Sequence, residues 1–536
     1  MLLLLALGCV DDRDPNDEKP PSEDTGAPDD TDSGDTDTGA TDTGSTDTGS
    51  AAFDCSAAGP VHVGDVAIED DDPSWFCDSY GSIEGDLLVG RRTLPDLAGL
   101  ECLCEVTGRV SIWNTNMTSL AGLDGLQRAR ILDISNDDEL VSLAGLEALR
   151  SVDRIDFWAL PALADVSALG GVSGSLEQVQ IFYADALPDL VGFDGIDTID
   201  ELYISDSAIP SVGGLGGLRV ARELTLANLP ALQGVDGLRA LVEVDELVFS
   251  DLPVLGTLDG LGALTTVGSL GLYDLDVVES LAPLSALVDV THVALQGNDR
   301  LVDIGALSAL GADAGEVSVT DNVALADLSV FAGLRTVESL AVGGNAASSY
   351  AAFSGLTSVA RNLYLGEVGA PDLAPFAGIA SVERLTLTGL TVTDLAGLEN
   401  LAAGDTLDVL DCDALVDLDV LSDVPFTSVT VRDCDRLVDL SGLEGMRGYW
   451  LGSYVQVKDN AALTTLAGLD GLTEIATLTI DGNGVLADLS ALDGLVTVTD
   501  VASITNNPAL PTSDADDLCA RLEGLGYGCT VAGNAP

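Results

Sequence analysis

The stretch NAALTTLAGLDGLTEIATLTIDGN, residues 460–483, decides how the chain is read. Leu463, Leu466, Leu469, Leu472 and Ile475 recur at every third position, and the spacing then tightens to two in Leu478-Thr479-Ile480. A spacing of three suits extended or 3₁₀ turns, whose side chains eclipse at that interval. It does not suit a long α-helix, whose apolar stripe repeats at 3.6. A spacing of two is a short strand with one face buried.

The same unit recurs along most of the chain. Aligned on the second apolar residue of the strand, it places Val89, Ile112, Ile134, Phe157, Ile181, Ile204, Leu226, Phe249, Leu272 and Leu295 in one register. Val319, Val342, Leu365, Leu387, Val409, Val431, Val457, Ile480 and Ile504 continue it. The period is about 23 residues, which is the signature of a solenoid of stacked coils. Longer steps before Val457 and Ile504 predict bulging loops. Leu140, Leu143, Leu146, Leu149 and Val152 repeat the spacing of three elsewhere, and Ala-Gly-Leu and Asp-Gly-Leu steps supply tight turns.

This combination resembles the leucine-rich repeat family, especially the short-repeat bacterial internalin type and receptor L-domains. That family carries an Asn after the strand. Here Asn298, Asn322, Asn345, Asn460, Asn483 and Asn507 hold the slot, and Cys412 and Cys434 replace Asn in two coils. Leu160, Leu229, Leu252, Leu275 and Leu390 occupy it in others, so the N-terminal coils are expected to turn differently. The resemblance implies a mostly β, α/β-type solenoid of about 19 coils, with a one-sided parallel sheet and a convex side of 3₁₀ and extended turns. The rival architecture is a right-handed parallel β-helix. At about 4.8 Å per strand, 19 coils give a sheet roughly 90 Å long.

The expected organisation is a lipoprotein-type signal peptide over 1–8, an acidic tether over 9–52 and a Cys-containing cap over 53–86. The solenoid follows over 87–510, with a second cap over 511–536. Residues 2–7 are too short an apolar run to span a bilayer. Leu5-Ala6-Leu7-Gly8-Cys9 resembles a lipoprotein cleavage box, which implies lipidation of Cys9. No Lys or Arg precedes the run, so the true start is expected upstream. Asp, Thr, Ser and Gly repeats such as Thr36-Asp37-Thr38-Gly39 lack any apolar period and cannot bury enough surface to fold.

Eight further cysteines cluster mainly at the two ends, where a solenoid exposes its core and needs caps. In an exported protein they read as disulfides. A bridge within Cys102-Leu103-Cys104 would be strained, so Cys55 and Cys77 are expected to pair onto Cys102 and Cys104 in one of the two crossed ways. Cys519 and Cys529 are expected to close the far cap, beside a short helix with Ser513 as its cap residue and running through Leu522. Cys412 and Cys434, one coil apart, are close enough for a bridge but read better as buried thiols.

The chain of 536 residues has 88 acidic and 21 basic residues and a net charge of −67. Nucleic acid needs clustered Lys and Arg and is excluded as a partner. The membrane is reached only through the N-terminal lipid. Two histidines, His62 and His292, stand apart, and no zinc-protease motif, nucleophile elbow, phosphate loop or dinucleotide fingerprint occurs. No enzyme, metal site or cofactor is expected, with calcium the one candidate ion. Asp206, Asp251, Asp274, Asp321, Asp411, Asp433 and Asp459 follow the strands at one equivalent position. They form either a cation-binding ladder or a solvated rim.

Only 4% of the residues are aromatic. Period-two alternation nevertheless turns Trp113, Trp158, Phe182, Tyr203 and Tyr273 outward on the face that the family uses as its concave surface. Exposed aromatics are the material of binding patches. The sequence therefore predicts a monomeric, lipid-anchored protein of the cell envelope or outer surface, binding a protein or glycan through that face. A structural spacer and, further off, a polysaccharide-active enzyme on a β-helix are the alternatives.

Overall fold

The computed structural model describes residues 55, 59–68, 73–90, 95–347, 349–367, 373–448, 452–524, 526 and 528–536. The expected signal peptide, Cys9 and the tether lie outside them. Among the described residues the strands form one parallel sheet in which each coil pairs with the next. Every one of the nineteen apolar positions aligned from sequence meets its neighbour directly, for example Ile134 opposite Phe157 and Phe157 opposite Ile181.

The physical cause is the switch of period inside the coil. In Arg154–Trp158 the residues Ile155 and Phe157 point inward and are buried. Arg154, Asp156 and Trp158 point away from the core. After the strand the backbone winds through turns closed by i to i−3 hydrogen bonds. The N–H of Leu123 donates to the Leu120 carbonyl (3.1 Å), and that of Leu126 to the Leu123 carbonyl (2.9 Å). Each turn returns a Leu to the core, which is why spacing of three and full burial coincide at Leu120, Leu123 and Leu126. Several turns are short 3₁₀ helices, such as Ser167–Gly171, Gly305–Ala309 and Ser329–Gly333. The other sides of the coil carry only isolated bridges, such as Ser142 opposite Asp165. A single ladder with turns behind it is the leucine-rich repeat arrangement, not the parallel β-helix.

Coils stack so closely that some turn positions admit no side chain. Gly145 has φ +113°, and a Cβ there would lie 2.1 Å from the Leu120 carbonyl oxygen of the preceding coil. This is the structural reason for the recurring Ala-Gly-Leu step.

The ladder extends one rung past each expected boundary. Val66–Ile68 pairs onto Leu87–Gly90, setting Ile68 opposite Val89 inside the segment 53–86 read as a cap. Cys529–Ala532 pairs with Thr497–Thr505, setting Val531 opposite Ile504 inside the segment read as the far cap. The extra residue before Ile504 is taken up within the strand. There the pairing shifts between Ile475 and Thr477, so no loop bulge is needed.

The caps are closed by Cys55–Cys104, Cys77–Cys102 and Cys519–Cys529, with Cα separations of 5.7, 5.6 and 5.8 Å. This is one of the two crossed arrangements expected at the N-terminal end. The terminal helix is Thr512–Arg521 with Pro511 as its cap residue, so its cap lies two residues before the expected Ser513 and its end one residue before Leu522. Ser513 is not the cap; its hydroxyl donates to Asp514 instead (3.1 Å). Pro at the cap fixes φ and removes a donor that the first turn leaves unpaired in any case. Cys412 and Cys434 are buried free thiols.

Candidate functional site on the open sheet face

Parallel register arranges the outward side chains in three columns. Ser135, Trp158, Phe182 and Ser205 stand side by side in one column. Asp133, Asp156, Gln180 and Tyr203 form the next, and Ile131, Arg154, Gln178 and Glu201 the third. The rung before adds Trp113, Ser111 and Arg109.

Three of the five aromatics expected on this face come together. Trp158 and Phe182 have ring centroids 4.6 Å apart, and Phe182 stacks on Tyr203 at 5.2 Å. A fourth ring joins them: Tyr183 meets Trp158 edge-on at 5.4 Å. Sequence alternation missed Tyr183 because it follows the strand, beyond the alternating positions. Trp158 is 39% exposed and Tyr183 45%.

The other two expected residues stay apart. Trp113 leans back over Gly90, where a Cβ would lie 2.6 Å from its indole carbons, and the small Ser135 separates it from Trp158. Tyr273 folds over Gly271 in the same way, three rungs beyond Tyr203. Its hydroxyl is buried without a partner. Burial first, then the carboxylates of Glu316 and Glu246, push its ionisation up to about 12. In both cases a ring tips toward a glycine because no Cβ occupies the space.

Polar side chains beside the ring cluster are tied to each other. Arg109 donates to Asp133 (3.0 Å), as does the Ser111 hydroxyl (3.1 Å). Arg154 donates to Gln178, and Gln178 donates to Glu201 (2.6 Å). Arg222 pairs with Glu201 and Glu223. On the strand that carries Trp158, Asp156 Oδ1 and Arg154 Nε are buried without partners. Desolvation raises the Asp156 carboxyl above its ordinary value; Arg154 opposes the shift and Asp133 adds to it.

The row of aspartates after the strands has a backbone cause. Asp206, Asp251, Asp274, Asp321, Asp411, Asp433 and Asp459 all have φ between +51° and +59°. Asn114, Asn136, Asn228 and Asn506, and Gly297, Gly344, Gly389, Gly482 and Gly533, hold the same slot with positive φ. Asn, Asp and Gly are the residues that tolerate the left-handed region. Mutual repulsion is present all the same: desolvation and then Asp251, Asp276, Asp299 and Asp321 raise the Asp274 carboxyl. No group of three or more His, Cys, Asp or Glu that would hold a metal ion occurs among the described residues. His62 packs edge-on against Tyr80 at 4.9 Å, and the His292 ring covers Gly315.

The class that this fold defines is the leucine-rich repeat solenoid. No family model matches the chain, and no curated protein does. Among solved structures, an internalin (inlF) from Listeria monocytogenes is 17% identical with a TM-score of 0.37, covering 59% of this chain and 86% of that one. The mouse RP105/MD-1 complex is 16% identical with a TM-score of 0.45, covering 83% of this chain and 80% of that one.

Proposed function

We propose that this protein is a recognition module that binds a macromolecule through its open sheet face, without turnover. The observation that carries the reading is the contiguous cluster Trp158, Phe182, Tyr183 and Tyr203. A chain with so few aromatics brings four of them together at the edge of a sheet face, two of them exposed. Exposed clustered rings cost solubility unless a partner covers them. Both a protein and a glycan are compatible with such a surface.

In the same reading, Cys9 carries a lipid and residues 10–52 hold the solenoid away from the membrane. Expression of the full chain in a Gram-negative host tests this part. Cys9→Ser is expected to abolish labelling by radioactive palmitate and release the protein to the soluble fraction. Labelling that persists in Cys9→Ser removes the anchor.

The recognition role is tested by replacing Trp113, Trp158, Phe182 and Tyr203 together with Ala and measuring binding to intact bacterial and host cells. Binding is expected to fall by at least about tenfold while circular dichroism is unchanged. Unchanged binding would leave the solenoid as an envelope spacer.

A further inference from the structure

We propose that the face around Arg154–Trp158 binds an uncharged polysaccharide, and that Tyr183 is a ligand-contacting residue kept in an unfavourable backbone conformation for that contact. This rests on the recognition reading above and narrows its ligand.

The first line of argument is the backbone. Among the described residues, nineteen follow the strands in the positive-φ slot, and sixteen of them are Asn, Asp or Gly. The three exceptions are Ala159, Tyr183 and Glu367 (φ +53°, +55° and +41°). Ala159 and Tyr183 come directly after Trp158 and Phe182. A bulky side chain in the left-handed region is strained, and such strain persists where function holds it. Core packing does not account for Tyr183, which is 45% exposed and meets Trp158 edge-on.

The second is charge. The chain carries −67 in total. In the three outward columns of the strands ending at Trp113, Ser135, Trp158, Phe182 and Ser205, however, the charged residues are Arg109, Arg154, Asp133, Asp156 and Glu201, and Arg222 of the next strand pairs with Glu201. This patch is locally neutral in an acidic molecule. A cationic protein would be drawn to the acidic remainder, and an anionic polymer would be repelled by it. An uncharged ligand meets neither effect.

The third is chemistry. A sugar ring has an apolar C–H face and hydroxyls that donate and accept at once. It is matched by rings beside planar carboxylate, amide and guanidinium groups, as in the columns here. Arg154 Nε and Asp156 Oδ1, a donor and an acceptor two residues apart, lack protein partners beneath neighbouring side chains. A hydroxyl satisfies both when those side chains part. The columns run along the solenoid axis at about 4.8 Å per rung, so an extended chain finds a ring or a polar pair at each step.

The test is affinity electrophoresis of the full chain through native gels. The gels contain mixed-linkage β-glucan, xyloglucan, galactomannan or dextran, with alginate and polygalacturonate as acidic counterparts. Retardation is expected with at least one neutral polymer and with neither acidic one. Trp158→Ala and Tyr183→Asn are each expected to weaken it roughly tenfold or more. Tyr183→Asn should at the same time raise the thermal midpoint, because it relieves the strain. Retardation by none of the neutral polymers, or undiminished retardation of Tyr183→Asn, overturns the proposal.

Binding to intact cells, measured in parallel, separates the two levels of inference. Loss after proteinase K but not after periodate means a protein ligand, so the polysaccharide fails and recognition stands. If Trp158→Ala binds cells as wild type does, both fail.

Discussion

The two halves of the solenoid solve the same turn with different chemistry. From Asn298 onward, an Asn side chain usually fills the slot after the strand. Asn322 Nδ2 donates to the Leu295 carbonyl of the coil before (3.0 Å), and its Oδ1 accepts from Asn298 N–H (3.2 Å) and Asn298 Nδ2 (3.0 Å). Asn460, Asn483 and Asn507 repeat the arrangement, and Asn534, beyond the expected array, completes it through the Ile504 carbonyl (2.9 Å). The Cys412 and Cys434 thiols reach the equivalent Leu387 and Val409 carbonyls at 3.7 and 3.8 Å, as weaker donors.

In the N-terminal half the slot is often Leu, and at Leu160 backbone takes over. Ala159 and Leu160 N–H groups donate to the Phe182 and Tyr183 carbonyls (3.0 and 3.1 Å), continuing the ladder past the strand. The aromatic cluster sits at the coil where backbone does this. Elsewhere in this half the slot varies: Ala184 N–H donates to the Ser207 hydroxyl (3.0 Å) and Leu275 N–H to Asn298 Oδ1 (3.1 Å).

Asp137 is a hybrid of the two. It is fully buried in the Asn slot, and Thr115 donates both its N–H and its hydroxyl to Oδ2, as a coil donates to an Asn oxygen. Oδ1 then occupies the place of the amide nitrogen and has no partner. Desolvation raises this carboxyl above its ordinary value, against the Thr115 hydrogen bonds.

Swapping the two chemistries gives the largest expected effect. Asn483→Leu strands the Val457 carbonyl and the Asn460 donors and should cost about 3 kcal/mol. The reciprocal Leu252→Asn loses a buried aliphatic side chain and should cost about 2 kcal/mol. Hydrogen exchange should show each loss in its own coils, because solenoid stability is carried between neighbours. A uniform loss of protection along the chain would show that the halves are not independent.

Asp137→Asn should move the other way, stabilising by about 1–2 kcal/mol at neutral pH in denaturant titrations. Its folded carboxyl titrates above the unfolded value, so the native chain holds the extra proton between the two. Stability therefore falls as pH rises through that window and stays lower above it. The Asn variant should lack this decline. An unchanged pH profile would remove Asp137 as its source.

The positive-φ slot gives a smaller effect. Asp251→Val should cost about 1–2 kcal/mol in thermal unfolding, and Asp251→Gly close to none. If Asp251→Gly instead abolished a calcium-induced rise in midpoint, the aspartate row would be a cation ladder after all.

The smallest effect is expected at Tyr350, buried against Phe353 and Phe376 with its hydroxyl unpartnered. Burial raises its ionisation. Tyr350→Phe should stabilise by about 0.5 kcal/mol, since it removes only an unmet hydrogen-bonding group. Destabilisation would mean that the hydroxyl has a partner, such as a buried water.

Sequence alone determined the coil. Period two and period three are local properties of the backbone, and nineteen strands aligned on them fall into register without correction. Composition also indicated the caps, because cysteines gather where the stacked core would otherwise be open. The terminal rungs at Ile68 and Val531 were not legible, since short strands beside disulfides carry too little pattern. Tertiary structure alone decided the face. Which rings touch depends on the coils above and below: Trp113 and Tyr273 tip onto glycines, while Trp158, Phe182 and Tyr203 close on one another. It also showed the backbone reason for the aspartates, a left-handed φ that the sequence does not display. Side-chain period is set within one strand, whereas contact across a solenoid is set by residues about 23 positions away.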